Sequence, residues 1–374
     1  MKTKILIVDD SRIFRSAIEE SLAPEKDIKV IGSVWNGIKA IEFIHSHRPD
    51  IITLDVEMPD MDGLETLKAI RKINAADKNA RPVGVIMVSS FTQKGADTTI
   101  RALEAGAFDF ITKPEGRSAA ENIKLLGRQL VLKIRYFVSR HISEGVKEKN
   151  TGAEKHYPTA SSRRPVHRRT VSGNADLPRG VRAILIGVST GGPRALASML
   201  PRLCEKVSLP IFIVQHMPPT FTQSLAGSLD TRCQTYTVTE GGNNVIVRDR
   251  HIYIAPGGRH MLIRKRGGDI FIVINKQPPE KGCRPSADIL FRSATTAYGG
   301  NVIGLILTGM GSDGTKGAGS LKRAGAYIIA QDEESSVVWG MPGSVKASGS
   351  ADEILPLMRI PDAVSAVIRR TPGE

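Results

Sequence analysis

The sequence predicts an α/β protein built from two parallel-sheet domains, and three observations carry that prediction. The chain has 374 residues and is 41% hydrophobic, whereas single cores rarely grow past roughly 250–300 residues before a chain divides. Apolar runs of strand length alternate with amphipathic stretches in the first third and again after residue 181, the pattern of parallel sheets covered by helices. Between them, residues 138–180 hold few large apolar side chains and cannot bury enough surface to offset the entropy of ordering. The expected organisation is a domain over 1–137, a basic flexible linker over 138–180 and a second domain over 181–374.

In the first domain, residues 5–8, 51–54, 83–88 and 110–112 read as buried strands, and 12–22, 37–45, 63–73, 98–105 and 118–137 as helices. They suit a doubly wound, five-stranded parallel sheet, whose ligands sit beyond the carboxyl ends of the strands. Asp9 and Asp10 follow the first strand, Asp55 and Ser89 end the third and fourth, and Lys113 follows the fifth, so all five converge on one rim. Clustered carboxylates repel unless a cation joins them, and a hard divalent ion, most simply Mg²⁺, suits Asp9, Asp10 and Asp55. The ion offsets the charge of an incoming phosphoryl group while Asp55 attacks phosphorus as a carboxylate nucleophile. Lys113 then pairs with the acyl phosphate, and the Ser89 hydroxyl bonds one of its oxygens. A lone strand-end aspartate is ordinarily a cap or turn former; three at matching strand ends, followed by Lys113-Pro114, point to a phosphoacceptor site.

In the second domain, apolar runs at 183–186, 211–214, 302–307 and 327–330 end in Gly-rich or polar loops, with helical stretches at 193–200, 286–297 and 315–324. A second parallel sheet follows from the same argument. Residues 237–274 alternate apolar and polar positions around Gly-Gly pairs, which predicts a small antiparallel hairpin appended to that sheet.

The loop Gly187-Val-Ser189-Thr-Gly191 fits a nucleophile elbow, where glycines permit the sharp strand-to-helix turn that exposes a serine hydroxyl. A Gly-rich loop of this kind equally suits a phosphate cradle, although it lacks the full Gly-x-Gly-x-x-Gly spacing of dinucleotide sites. His216 ends the next apolar run and Asp313 follows a later one, which favours hydrolase chemistry. Serine needs a base within hydrogen-bond reach, and that imidazole needs a carboxylate to fix its tautomer. The order Ser189, His216, Asp313 differs from the Ser-Asp-His order of α/β-hydrolases, so a different hydrolase fold is expected. His251 and His260 fall in the predicted hairpin and are assigned structural or rim roles.

The net charge of +14 would suit nucleic acid if it were focused on one folded face. Residues 139–180 alone hold nine Lys or Arg against four Asp or Glu, and neither a recognition-helix nor a zinc-finger pattern occurs, so no nucleic-acid partner is expected. Cys204, Cys233 and Cys283 are odd in number and outside metal-ligand spacing, and are read as reduced thiols rather than a disulfide framework or zinc site. No apolar run reaches the roughly 18 residues of a membrane span, so membrane insertion is not expected and a cytoplasmic location is. A phospho-regulated nucleic-acid binder and a nucleotide-binding regulator stay open as alternatives; a salt-sensitive DNA shift or stabilisation by nucleotides would distinguish them.

Val8-Asp9-Asp10, Leu54-Asp55-Val-Glu-Met-Pro59 and Thr112-Lys113-Pro114 together resemble the receiver domain of two-component response regulators. That resemblance implies phosphorylation of Asp55 by a histidine kinase with Mg²⁺ held by Asp9, Asp10 and Asp55, Ser89 and Phe110 as switch residues, and a cis Lys113–Pro114 bond. The second domain resembles the catalytic domain of the chemotaxis protein-glutamate methylesterases, the CheB family. The similarity rests on Ile186-Gly-Val-Ser-Thr-Gly-Gly192, Gln215-His-Met-Pro-Pro-Thr-Phe221, Ile252-Tyr-Ile-Ala-Pro-Gly-Gly-Arg-His-Met261, Arg284-Pro-Ser-Ala-Asp-Ile-Leu-Phe291, Leu307-Thr-Gly-Met-Gly-Ser-Asp-Gly314 and Gly340-Met-Pro342. Val188 departs from the small residue associated with that position. The resemblance implies a phosphorylation-activated serine hydrolase that removes methyl esters from glutamates, and deamidates selected glutamines, on the cytoplasmic domains of methyl-accepting chemoreceptors. Ser189, His216 and Asp313 would be its catalytic residues, with no cofactor for the ester reaction. Backbone N–H groups of the Thr190 and His216-Met217 turns are the expected oxyanion donors.

Overall fold

The computed structural model describes residues 2–77, 80–114, 116, 118–147 and 180–370. Most of the expected linker, residues 148–179, lies outside them.

The first sheet is wholly parallel, in the order β2-β1-β3-β4-β5: β1 is Thr3–Val8, β2 Ile28–Val34, β3 Ile51–Asp55, β4 Gly84–Ser89 and β5 Asp109–Thr112. β3 and β4 are buried along their whole length, as a strand covered on both faces must be. Helices α1 Arg12–Leu22, α2 Gly37–His47, α3 Gly63–Ala76, α4 Gln93–Glu104 and α5 Ala119–Lys147 cover it. Their starts are set by side-chain caps: Ser11 accepts from Phe14 N–H, and Asp62 forms a reciprocal capping box with Glu65, satisfying donors that helix geometry leaves orphaned. α5 continues past residue 137. β2 was not named among the apolar runs, because this edge strand is half-exposed and carries Lys29, Gly32 and Ser33.

The second domain has a seven-stranded sheet in the order β15-β14-β13-β6-β7-β10-β8. Its strands are β6 Ala183–Val188, β7 Ile211–Gln215, β8 Thr237–Glu240, β10 His251–Ile254, β13 Val302–Ile306, β14 Tyr327–Gln331 and β15 Glu353–Leu355. Helices α6 Gly192–Cys204, α7 Phe221–Asp230, α8 Ala287–Tyr298, α9 Thr315–Arg323, α10 Gly340–Ala347 and α11 Ile360–Arg370 flank it. β9 Val245–Ile246, β11 His260–Arg266 and β12 Asp269–Asn275 form a separate antiparallel sheet in the order β11-β12-β9.

The expected hairpin over 237–274 is therefore split. Only β9, β11 and β12 are antiparallel, while β8 and β10 join the main sheet in parallel. The reason is burial: Ile252, Tyr253 and Ile254 are inaccessible or nearly so, the signature of an interior strand.

Both sheets reverse strand order at a switch point, between β1 and β3 in the first and around β6 in the second, and such points create crevices at the carboxyl ends of strands. The two crevice edges face each other across an interdomain contact. Phe110 stacks on Phe221 with centroids 4.7 Å apart, and Phe91 meets the same ring edge-on. Around them Gln93 Nε2 donates to Ser224 Oγ, Ser228 Oγ donates to Glu104 Oε1, and Arg232 pairs with Glu104 Oε2 at 2.6 Å.

Candidate active site

Ser189 leaves β6 in a turn that depends on Gly191 at φ 78°, where an added Cβ would sit 2.5 Å from Val337. Only glycine takes that left-handed conformation without cost. The turn is tied down on both sides: Ser189 N–H donates to Thr308 O, and Gln215 Nε2 donates to Ser189 O at 3.0 Å. Among the described residues Ser189 Oγ has no hydrogen-bond partner, which leaves the hydroxyl free at the rim.

His216 follows β7 and Asp313 follows β13, the two strands that flank β6. His216 Nε2 lies 2.8 Å from Asp313 Oδ2, so Nδ1 is the nitrogen left for other work. Asp313 is 2% exposed and sits against the start of α8. Ser286 Oγ and Asp288 N–H donate to its Oδ1, and Ala287 N–H donates to Oδ2. Burial opposes both charged forms, but their mutual hydrogen bond prevails, with the Cys283 contact adding to it on the histidine side and the α8 N–H groups on the aspartate side. His216 is raised to about 9 and Asp313 lowered to about 2. A carboxylate held this firmly stabilises an imidazolium, as a general base needs after taking a proton.

Of the expected oxyanion donors, His216 N–H is engaged by Val188 O at 3.2 Å. Thr190 and Met217 N–H have no acceptor among the described residues and remain the candidates. Val188 is buried. His260 is fully buried with Nε2 near Pro278 O, and His251 Nδ1 contacts Asp249 O; neither enters the Ser189, His216, Asp313 group.

At the rim of the first sheet, Lys113 Nζ lies 2.8 Å from Asp55 Oδ2 and 2.9 Å from Asp9 Oδ2, and 4.8 Å above the Phe14 ring. Asp55 is 4% exposed and its Oδ1 accepts from Val56 N–H. Burial and the neighbouring Asp9 charge push its carboxyl up to about 6, against the pull of Lys113. Carboxylate oxygens of Asp9, Asp10 and Asp55 lie within 4.8 Å of one another. An oxygen-only set of three carboxylates against a single Lys113 cation fits a hard divalent ion such as Mg²⁺. Ser89 is buried and its hydroxyl donates to Ser90 O at 3.2 Å. The expected cis Lys113–Pro114 bond is absent: the cis peptide among the described residues is Arg284–Pro285. Trans is the intrinsic preference of X–Pro bonds by roughly 0.5–1 kcal/mol, and Lys113 reaches both carboxylates with it.

A cleft of about 410 Å³ lies between the two domains at the Ser189 rim. Asp109, Phe110 and Lys133 line it from the first domain, and Ser189, Thr190, Gln215, His216 and Met217 from the second. Thr190 Oγ1, next to the serine, donates to Asp109 Oδ2 at 2.8 Å, and Lys133 pairs with the same oxygen.

The CheB methylesterase family model matches residues 184–364, and the response regulator receiver domain model matches residues 5–123. A protein-glutamate methylesterase/protein-glutamine glutaminase of Desulfotalea psychrophila is 40% identical over 98% of this chain and 98% of its own length. The chain belongs to the CheB methylesterase family. A second relative of the same name, from Trichodesmium erythraeum, is 41% identical over 97% of this chain and 98% of its own. Among solved structures, the CheB methylesterase catalytic domain of Thermotoga maritima is 41% identical, covers 50% of this chain and 99% of that one, and has a TM-score of 0.49.

Several residues around this CheB-family site escaped the sequence reading. Thr190, Phe221 and Ser286 fall in the stretches that carry the resemblance and Asp109 and Cys283 outside them, but the side chain of each acts through a partner between 27 and 111 positions away, and spacing cannot reveal such pairs. Only Ser286 had a local signal, as a cap residue opening a helical stretch. No helix of the described residues is long and apolar enough to cross a membrane.

Proposed function

We propose that the chain is a phosphorylation-activated methylesterase that hydrolyses γ-glutamyl methyl esters on the cytoplasmic helices of chemoreceptors. The observation that carries this reading is the His216–Asp313 pair, with His216 and the free Ser189 hydroxyl lining one cleft whose other wall is the phosphoacceptor domain. Ser189 Oγ attacks the ester carbonyl as His216 Nδ1 takes its proton, and Asp313 holds Nε2–H and stabilises the imidazolium. The tetrahedral oxyanion is met by the Thr190 and Met217 N–H groups. Collapse returns the proton to the leaving oxygen and releases methanol; water, deprotonated by the same imidazole, then frees the glutamate. A glutamine side chain entering the same sequence would release ammonia instead, the glutaminase activity named for the relatives.

In the receiver domain, Asp9, Asp10 and Asp55 would hold Mg²⁺, which when bound offsets the charge of the phosphoryl group. Asp55 accepts that group from a histidine kinase, Lys113 neutralises the acyl phosphate, and Ser89 turns its hydroxyl from Ser90 O toward a phosphoryl oxygen. A receptor helix is about 10–12 Å across, too wide to reach Ser189 while Asp109 and Phe110 form the opposite wall, so activation requires the domains to part. Location in the cytoplasm, where receptor helices and kinase are found, follows from this reading.

The test is methanol release from methylated chemoreceptor membranes, with and without a small phosphodonor plus Mg²⁺. Release that the donor accelerates is expected. Release indifferent to the donor would remove the switch, and none in either condition would remove the esterase.

A further inference from the structure

The fold brings Cys283 to the catalytic histidine: its Sγ lies 3.8 Å from His216 Nδ1. The opposite ring nitrogen is fixed by Asp313, itself anchored by Ser286 and the first N–H groups of α8. Protein metal sites hold imidazole in this way, with a carboxylate on one nitrogen orienting the other toward the ion. A Zn–N bond of about 2.0–2.1 Å and a Zn–S bond of about 2.3 Å at a tetrahedral angle separate the two ligand atoms by about 3.5 Å. The observed separation is a few tenths of an ångström longer, an opening of the angle that closed-shell zinc accepts freely. His216 and Cys283 are both partly exposed, so an ion reaches them from solvent.

We propose that His216 Nδ1 and Cys283 Sγ form a binding site for a soft divalent cation of the zinc class, and that its occupation switches the hydrolase off. Thiolate and imidazole together select zinc-like ions over Mg²⁺, so the site is chemically separate from the carboxylate cluster of the receiver domain. Binding takes the thiol proton, which leaves to solvent as the Cys283 S–metal bond forms. Two protein ligands leave the remaining positions to water, so the ion binds reversibly and more weakly than in a four-ligand structural site. It occupies the nitrogen that would accept the Ser189 proton. This inhibitory half rests on the esterase mechanism proposed above, whereas the binding half does not.

The experiment uses full-length protein in excess Mg²⁺, which saturates the carboxylate cluster. Zn²⁺ binding is followed by equilibrium dialysis, and Co²⁺ replaces it for the thiolate-to-cobalt charge-transfer band. Wild type is expected to bind a single equivalent and show the band; Cys283→Ser is expected to lose the band and bind Zn²⁺ about tenfold or more weakly, with the concentration that halves methanol release rising in step. His216→Gln should lose the metal with Cys283 intact, which guards against an indirect effect of the cysteine change. A band that survives in Cys283→Ser would place the metal on Cys204 or Cys233 and overturn the site. Metal bound at the pair with methanol release undiminished would overturn the inhibition. Absence of methanol release in zinc-free buffer would count against the esterase reading and leave the binding result standing.

Discussion

Asp313 makes four contacts with its two oxygens, one to His216 and three to the start of α8, and its value to the site lies in that immobility. Asparagine there keeps the shape but reverses the donor facing Nε2. Turnover of Asp313→Asn should fall by about 10⁴, as in other triads given the wrong tautomer. The same pair governs pH. With His216 raised to about 9, the imidazolium contributes stability that is full below about pH 6.5 and is lost as pH rises through 9. Catalysis needs the neutral ring, so kcat/KM should climb over that interval; a profile already flat above pH 7 would contradict the assignment. Ser189→Ala should lose several powers of ten in turnover while Asp55 is phosphorylated normally, as phosphate incorporation would show. Asp55 is raised to about 6, so its ionisation costs stability as pH rises from about 4 to 6. Asp55→Asn without Mg²⁺ should stabilise the protein on the order of 1–3 kcal/mol at pH 7 and by less at pH 5, read as Tm. The strand-end positions of Ser189, His216, Asp313 and the receiver carboxylates were legible because each ends or follows an apolar run. Cys283 was not, since its meaning lies in a side chain 67 positions away.

At the scale of elements, the buried strands β1, β3, β4, β6 and β7 were legible because continuous apolar runs have few other uses. α4 begins at Gln93, five residues before the helical pattern suggests, because Thr92 caps it by accepting from Gly95 N–H; Lys94 and Gly95 hide that first turn from any search for apolar periodicity. β8 and β10 were misplaced because alternation of period two cannot distinguish a hairpin from a short parallel strand. The loop that carries His216 leans on the turn after β10. A Cβ on Gly257 would lie 2.2 Å from the Pro218 carbonyl carbon, and backbone cannot step aside as a side chain can. Gly257→Ala should therefore cost about 1–3 kcal/mol in stability and lower kcat by displacing the loop; full activity with unchanged Tm would show that the turn has slack.

For the whole molecule, docking of one domain on the other was not legible, since Gln93, Glu104, Asp109 and Thr190 are ordinary surface residue types until their partners are known. Glu104 holds both Ser228 and Arg232, so Glu104→Ala should weaken the contact and raise methanol release by the unphosphorylated protein, with less change once phosphodonor is added. A fragment beginning near residue 180 should outpace the unphosphorylated full chain; equal rates would mean that the receiver does not restrain the site. The contacts that join the domains come from α4, β5 and α5 on one side and from α6, α7, the Ser189 turn and the 337–338 segment on the other, one continuous surface whose parts break together. Leak and gain are thus set by a single number, the free energy of that one contact. Every 1.4 kcal/mol added to it lowers the idle rate about tenfold and demands an equal contribution from the phosphoryl group. The enzyme can be quiet at rest or easily roused, and the strength of one interface decides where between the two it operates.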